Sequence, residues 1–127
     1  MCTKLFFQYE PPNWNTYINL ERSNKYQANM LKQQEKYIIG LMVRGRKYEG
    51  KYPIEIIFRP HFRDKRSDLD NTRVKGVLDG LTACGYIVND NLKYIQRLVI
   101  EPIFDKTRGM ELEIRHITIQ SEQEVQR

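Results

Sequence analysis

The chain has 127 residues, of which 40% are hydrophobic and 11% aromatic, and its 21 Lys and Arg outnumber 16 Asp and Glu to give a formal charge of +5. That length suits one domain, and that composition excludes wholesale disorder. The longest apolar stretch, Tyr37 to Val43, contains Gly40 and falls far short of the roughly 18 residues of a membrane span, so no membrane partner is expected.

The elements follow from hydrophobic period. Leu5, Phe7 and Tyr9 alternate with Lys4, Gln8 and Glu10, which predicts a half-buried strand ended by Pro11-Pro12. Asn13-Trp14-Asn15-Thr16 reads as a loop. Tyr26, Met30, Tyr37, Ile38 and Leu41 recur at helical spacing behind Ser23 or Asn24, either a fitting N-cap, and predict a long helix over about 24–44. Gly45 and Gly50 mark a turn, and Ile54, Ile56, Ile57 and Phe58 predict a strand after Pro53. Pro60 lacks a ladder donor, so that strand is expected to become irregular or to lie at an edge.

Asn71 and Thr72 suit a helix start, and the stripe Val74, Val77, Leu78 and Leu81 ends at Gly85, a natural C-cap. A strand over about 94–101 follows the loop Asn89-Asp90-Asn91. The turn Asp105–Gly109 leads into Met110, Leu112 and Ile114, alternating with Glu111, Glu113 and Arg115, which predicts a hairpin. The apolar phase slips to Ile117 and Ile119, which predicts a bulge near His116. The polar tail 121–127 is expected to fray. The sum is an α/β domain over 1–120, β-α-β-α-β-β in order, with a mixed sheet covered by two helices.

Cys2 and Cys84 are too few and too far apart for a disulfide framework or zinc site, and the two histidines share no ligand spacing. The first twenty residues show no signal pattern, and a reduced, cytoplasmic setting is expected. The charge is uneven. Residues 22–66 hold twelve basic and four acidic side chains, +8, leaving nine and twelve, −3, for the rest. A basic region favours polyanions, because each phosphate contact releases counterions, although a solvated helix face has the same look.

The basic run ends at Arg63-Asp64-Lys65-Arg66 and leads directly into Asp68-Leu69-Asp70. Carboxylates at i and i+2 of an extended segment point the same way and could share one Mg²⁺, a hard cation suited to oxygen ligands. Asp90 comes 20 residues later, beyond a helix roughly 20 Å long. It could join the pair only if 86–91 ran back along the sheet beside the Asp68 segment. Plainer readings stand beside this one: Asp70 or Asn71 as a helix cap, 89–91 as an Asx turn, Lys75 with Asp79 as a surface ion pair, and Cys84 as a small core residue. His116 has no second ligand nearby and is given no catalytic role.

In order, Ser67-Asp68-Leu69-Asp70-Asn71, then Lys75, Val77-Leu78-Asp79-Gly80-Leu81 and Gly85-Tyr86-Ile87-Val88-Asn89-Asp90 resemble the signature of the RusA family of Holliday-junction resolvases. The strand ending in Pro11-Pro12, followed by Asn13, Asn15 and a basic helix, is similar to that family as well. The resemblance runs from about Leu5 to Ile119. It implies a homodimeric, Mg²⁺-dependent endonuclease, with Mn²⁺ a possible substitute, that resolves four-way DNA junctions by paired symmetric nicks in recombination and repair. No small-molecule cofactor is implied.

On this resemblance Asp68, Asp70 and Asp90 are the metal-binding carboxylates and Lys75 the catalytic lysine. One residue more than the family pattern separates Asn71 from Lys75, which leaves Arg73 as a competitor for that role. Arg63, Lys65 and Arg66 would hold flanking phosphates, with Asn71 and Arg73 also beside DNA. Trp14, between Asn13 and Asn15, could stack on an unpaired base at the junction centre, or pack on the long helix. Two other functions fit the same residues: a non-catalytic basic DNA-binding protein, and a metal nuclease acting on other branched DNA.

Overall fold

The computed structural model of the chain describes residues 2–8, 14–62, 74–106 and 109–118. The expected alternation at the start forms strand β1, Cys2–Phe7, which buries Leu5 and Phe7 and exposes Lys4 and Phe6. Trp14 to Thr16 open a helix, α1 (Trp14–Ser23), where a loop was expected. A Ser23 hydroxyl donating to the Asn19 carbonyl closes its last turn.

Helix α2 (Lys25–Val43) keeps its predicted bounds. Asn24 caps it, accepting the Gln27 N–H at 3.1 Å, and Arg44 ends it in the left-handed conformation with its N–H on the Gly40 carbonyl. The Arg46 guanidinium donates to the Val43 and Met42 carbonyls, so this member of the basic run serves as a C-terminal cap. The buried face is not the predicted one. Ala28, Glu35, Ile39 and Val43 are inside, whereas Tyr26, Met30, Tyr37 and Leu41 are exposed. Both sets recur at helical spacing, and periodicity alone does not say which stripe meets the sheet.

Strand β2 (Ile54–Phe62) passes through Pro60 without stopping and is interior, a correction to the expected edge. The ladder explains it. Even-numbered residues of β2 face one neighbour, as when Ile54 N–H donates to the Tyr94 carbonyl and the Phe58 and Phe62 carbonyls accept Glu101 and Asp105. Pro60 therefore presents its missing donor where that neighbour is itself broken at Glu101-Pro102, between β3 (Ile95–Ile100) and β4 (Ile103–Phe104), both parallel to β2.

Helix α3 (Val74–Ala83) joins β2 to β3 and ends in a Schellman motif. Gly85, at φ 80°, donates to Thr82, and Tyr86 donates to Leu81, whose side chain is buried with that of Tyr86. Its predicted start at Asn71 and Thr72 lies outside the described residues, as do Tyr9 to Asn13 and the tail.

Strand β5 (Met110–His116) pairs antiparallel with β1 on one side and β2 on the other, giving the order β1-β5-β2-β3. The expected hairpin is absent, because β4 and β5 lie on opposite sides of β2. Nor is there a bulge at His116: the β2–β5 register is regular down to Ile54 opposite His116, where β5 ends, and the shift falls between Ile54 and Glu55 against β3. The class is α/β with a mixed sheet, as expected, but the described residues form five strands and three helices where four and two were expected.

One face of that sheet builds the core. Ile54, Ile56 and Phe58 of β2, with Leu5, Phe7, Leu112 and Ile114, meet Ile39 and Val43 of α2 and Val77 and Leu81 of α3. Each such side chain contributes roughly 1.5–3 kcal/mol. Helices α2 and α3 approach closely at Gly80, where a Cβ would stand 3.0 Å from Ile39. Helix α1 packs on α2.

The opposite face is a ladder of paired charges. Glu55 is bound by Arg115 and, at 3.3 Å, by Arg97, while Arg59 reaches Glu113 at 3.0 Å, Glu101 at 3.1 Å and Glu111 at 3.5 Å. Lys4 stands opposite Glu113 on β5 in the same ladder. No helix among the described residues is long and apolar enough to cross a membrane.

Candidate functional site

The two crossovers give the molecule two unlike ends. Strands β1, β2 and β4 run in one direction, and α3 returns against them to reach β3. Helix α2 lies parallel to α3, since Ile39 meets Gly80 and Gly40 faces Cys84. Both helices thus turn their amino ends toward the carboxyl ends of the parallel strands. In open α/β sheets that end is where ligands bind, and helix amino termini favour anions there.

Gln8 after β1, Phe62 at the end of β2 and Val74 at the start of α3 all stand at that end, and Trp14 and Asn15 form the first turn of α1. These residues flank or belong to the stretches that carry most of the predicted site. Asn13, Arg63, Lys65, Arg66, Asp68, Asp70, Asn71 and Arg73 lie outside the described residues. Lys75 is described: it sits in the first turn of α3, largely exposed, with its Nζ 3.4 Å from Asp79 Oδ1. A surface pair of this kind is worth at most about 0.5 kcal/mol and leaves the ammonium available to a phosphate.

Asp90 stands at the other end. The Tyr48 N–H donates to the Tyr86 carbonyl, and the Val88 N–H donates to the Tyr52 hydroxyl, so the segment carrying Asp90 lies beside the residues that enter β2. Asn89 Oδ1 accepts the Asp90 N–H at 2.7 Å and Asn91 Oδ1 accepts the Lys93 N–H at 3.0 Å, the Asx-type turns that the sequence allows. The return along the sheet that would carry Asp90 toward Lys75 in one chain is not made. About 12 Å of helix rise separates Lys75 from Ala83 before the chain even reaches that loop.

A pair that the sequence did not suggest occupies the carboxyl end of β2. The His61 Nδ1–H donates to Asp105 Oδ1 at 2.9 Å, and Phe6 packs edge-on against the ring at 5.8 Å between centroids. His61 Nε2 is buried and has no hydrogen-bond partner among the described residues. The carboxylate accepts the Nδ1 proton and so orients the ring, with Nε2 facing inward. The signal was missed because His61 and Asp105 are 44 residues apart and come together only when β4 pairs with β2. Among the described residues no three His, Cys, Asp or Glu side chains group as a metal site.

No protein-family model matches the chain, and no curated protein matches it.

Proposed function

We propose that the protein is a Mg²⁺-dependent endonuclease that resolves four-way DNA junctions by paired nicks, acting as a homodimer in cytoplasmic DNA recombination and repair. The observation that carries this reading is the convergence, at the carboxyl end of the sheet, of Lys75 with the residues flanking the Arg63–Arg73 stretch. Cations for binding and carboxylates for a metal are thereby supplied from one crossover.

In this reading Asp68 and Asp70 hold Mg²⁺, whose chemistry is to lower the pKa of a bound water and to draw charge from the attacked phosphate. Lys75, held on a helix rather than a loop, neutralises the scissile phosphate or the leaving oxygen. Arg63, Lys65 and Arg66 fix the flanking phosphates, and Asn71 and Arg73 border the same strand. Asn13, Trp14 and Asn15 are assigned to the junction centre. Asp90 lies at the far end of its own chain and therefore serves as a third ligand from the second copy of a two-fold dimer.

The decisive variant is Asp70→Asn. It is expected to lose cleavage of a synthetic four-way junction by ~100-fold or more while retaining junction affinity in a gel-shift titration, because a metal ligand goes and no positive charge does. Cleavage at the normal rate would show that the site is misassigned. Junction binding by the unmodified chain with no Mg²⁺-dependent cleavage would favour the second reading, a non-catalytic basic DNA-binding protein in which these aspartates only cap and turn the chain.

A further inference from the structure

The outer face of α2 is apolar where a solitary helix would be polar. Tyr26 is 72% exposed, Tyr37 69%, Leu41 49% and Met30 45%, and an open groove of about 530 Å³ is lined by Tyr26, Asn29, Met30, Gln33, Gln34 and Tyr37. Residues 26, 30, 33 and 37 advance by four, three and four, the spacing of a coiled-coil seam, and no charged residue occupies it. The two tyrosines alone expose on the order of 300 Å². With Met30 and Leu41 the stripe exceeds ~400 Å², the size at which an exposed apolar patch on a monomer marks an interaction site.

The spacing identifies the occupant. Tyr26 and Leu41 are centred on the point between Gln33 and Gln34, and so are Met30 and Tyr37. A stripe that reads the same about its midpoint is complementary to itself when two copies run antiparallel. We propose that a second copy of this chain seats its α2 against this face, antiparallel about a two-fold axis at Gln33 and Gln34. Met30 of each copy then meets Tyr37 of the other, Tyr26 meets Leu41, and the glutamines hydrogen-bond at the axis. A polar pair at the centre of an apolar seam fixes register, as a buried amide does in coiled coils. Two stripes together remove on the order of 1,000 Å², the lower bound for a specific interface.

The pairing is argued from the helix alone and does not rest on the nuclease reading, so inactivity toward junctions would leave it standing. Its test is the mass of the full-length chain by light scattering, with circular dichroism to verify folding. The unmodified chain is expected at twice 15.3 kDa. Met30→Glu alone and Tyr37→Lys alone are expected at 15.3 kDa, each placing a charge against an apolar partner. The two substitutions in one chain set carboxylate against ammonium across the axis and are expected to restore the dimer. A monomeric unmodified chain, or a dimer that survives both single substitutions, would overturn the proposal. Single variants that are monomeric without recovery in the double would overturn the antiparallel register. All of these side chains are exposed, so a folded monomer is the state against which each result is read.

Discussion

Glu113 shows how one side chain couples strands that are far apart in sequence. It is buried on the charged face, and hydrogen bonds from the Cys2 thiol and the Arg59 guanidinium hold its carboxyl below the ordinary glutamate range. A folded-state value below the unfolded one means that the ionised pair stabilises the fold above the unfolded pKa, and that this contribution is lost as pH falls through the folded one. Glu113→Gln is therefore expected to destabilise the protein by about 1–3 kcal/mol at neutral pH, with the difference narrowing below about pH 4. Chemical denaturation of both proteins across that range measures it, and a pH-independent difference would contradict the assignment. Little of this was legible beforehand. The alternation of Glu111, Glu113 and Arg115 gave their common face, but not that Arg59 would stand opposite.

The helices and strands were legible to different depths. Asn24 and Gly45 bracket α2, and Gly85 ends α3, because caps are local chemistry that needs no partner. The inward face of α2 was not, since two tyrosines and a methionine outscore Ala28 and Glu35 on hydrophobicity while the sheet accepts the smaller set. The supposed hairpin failed for a similar reason: a turn signal gives a reversal of the chain, and it does not say that β2 lies between the two arms. Close approach at Gly80 is the feature on which the α2–α3 packing turns. Gly80→Leu would force a branched side chain against Ile39 and is expected to cost about 1–3 kcal/mol, read as a lowered Tm, whereas Gly85→Ala acts through its positive φ and leaves that contact alone. An unchanged Tm in Gly80→Leu would mean the helices are farther apart than described.

For the whole molecule, the +8 of residues 22–66 includes cations at a helix end and on the sheet as well as cations along the helical side. Arg46 caps α2 and Arg59 is enclosed by glutamates. Lys25, Lys32 and Lys36 line one flank of α2, and in an antiparallel pair the same flanks of two helices share one side of the dimer. Two rows of lysines would then form a single basic face across the two-fold axis, matched to a two-fold DNA junction. Replacing all three by alanine removes six cations from the dimer and is expected to weaken junction binding and to reduce the slope of log K against log salt by about 5. An unchanged slope would remove them from the interface.

The candidate site was legible as an ordered set of residues and not as a place. Spacing left open whether Asp90 could reach its partners, and the crossover answers for one chain by setting it at the end remote from Lys75. The measurement that bears most directly on the nuclease reading is cleavage of a synthetic four-way junction beside a linear duplex of the same sequence, with Mg²⁺ and with chelator. Paired, symmetric nicks in the junction alone, abolished by chelation, are predicted. Equal cutting of both substrates, or cutting that persists in chelator, would contradict it.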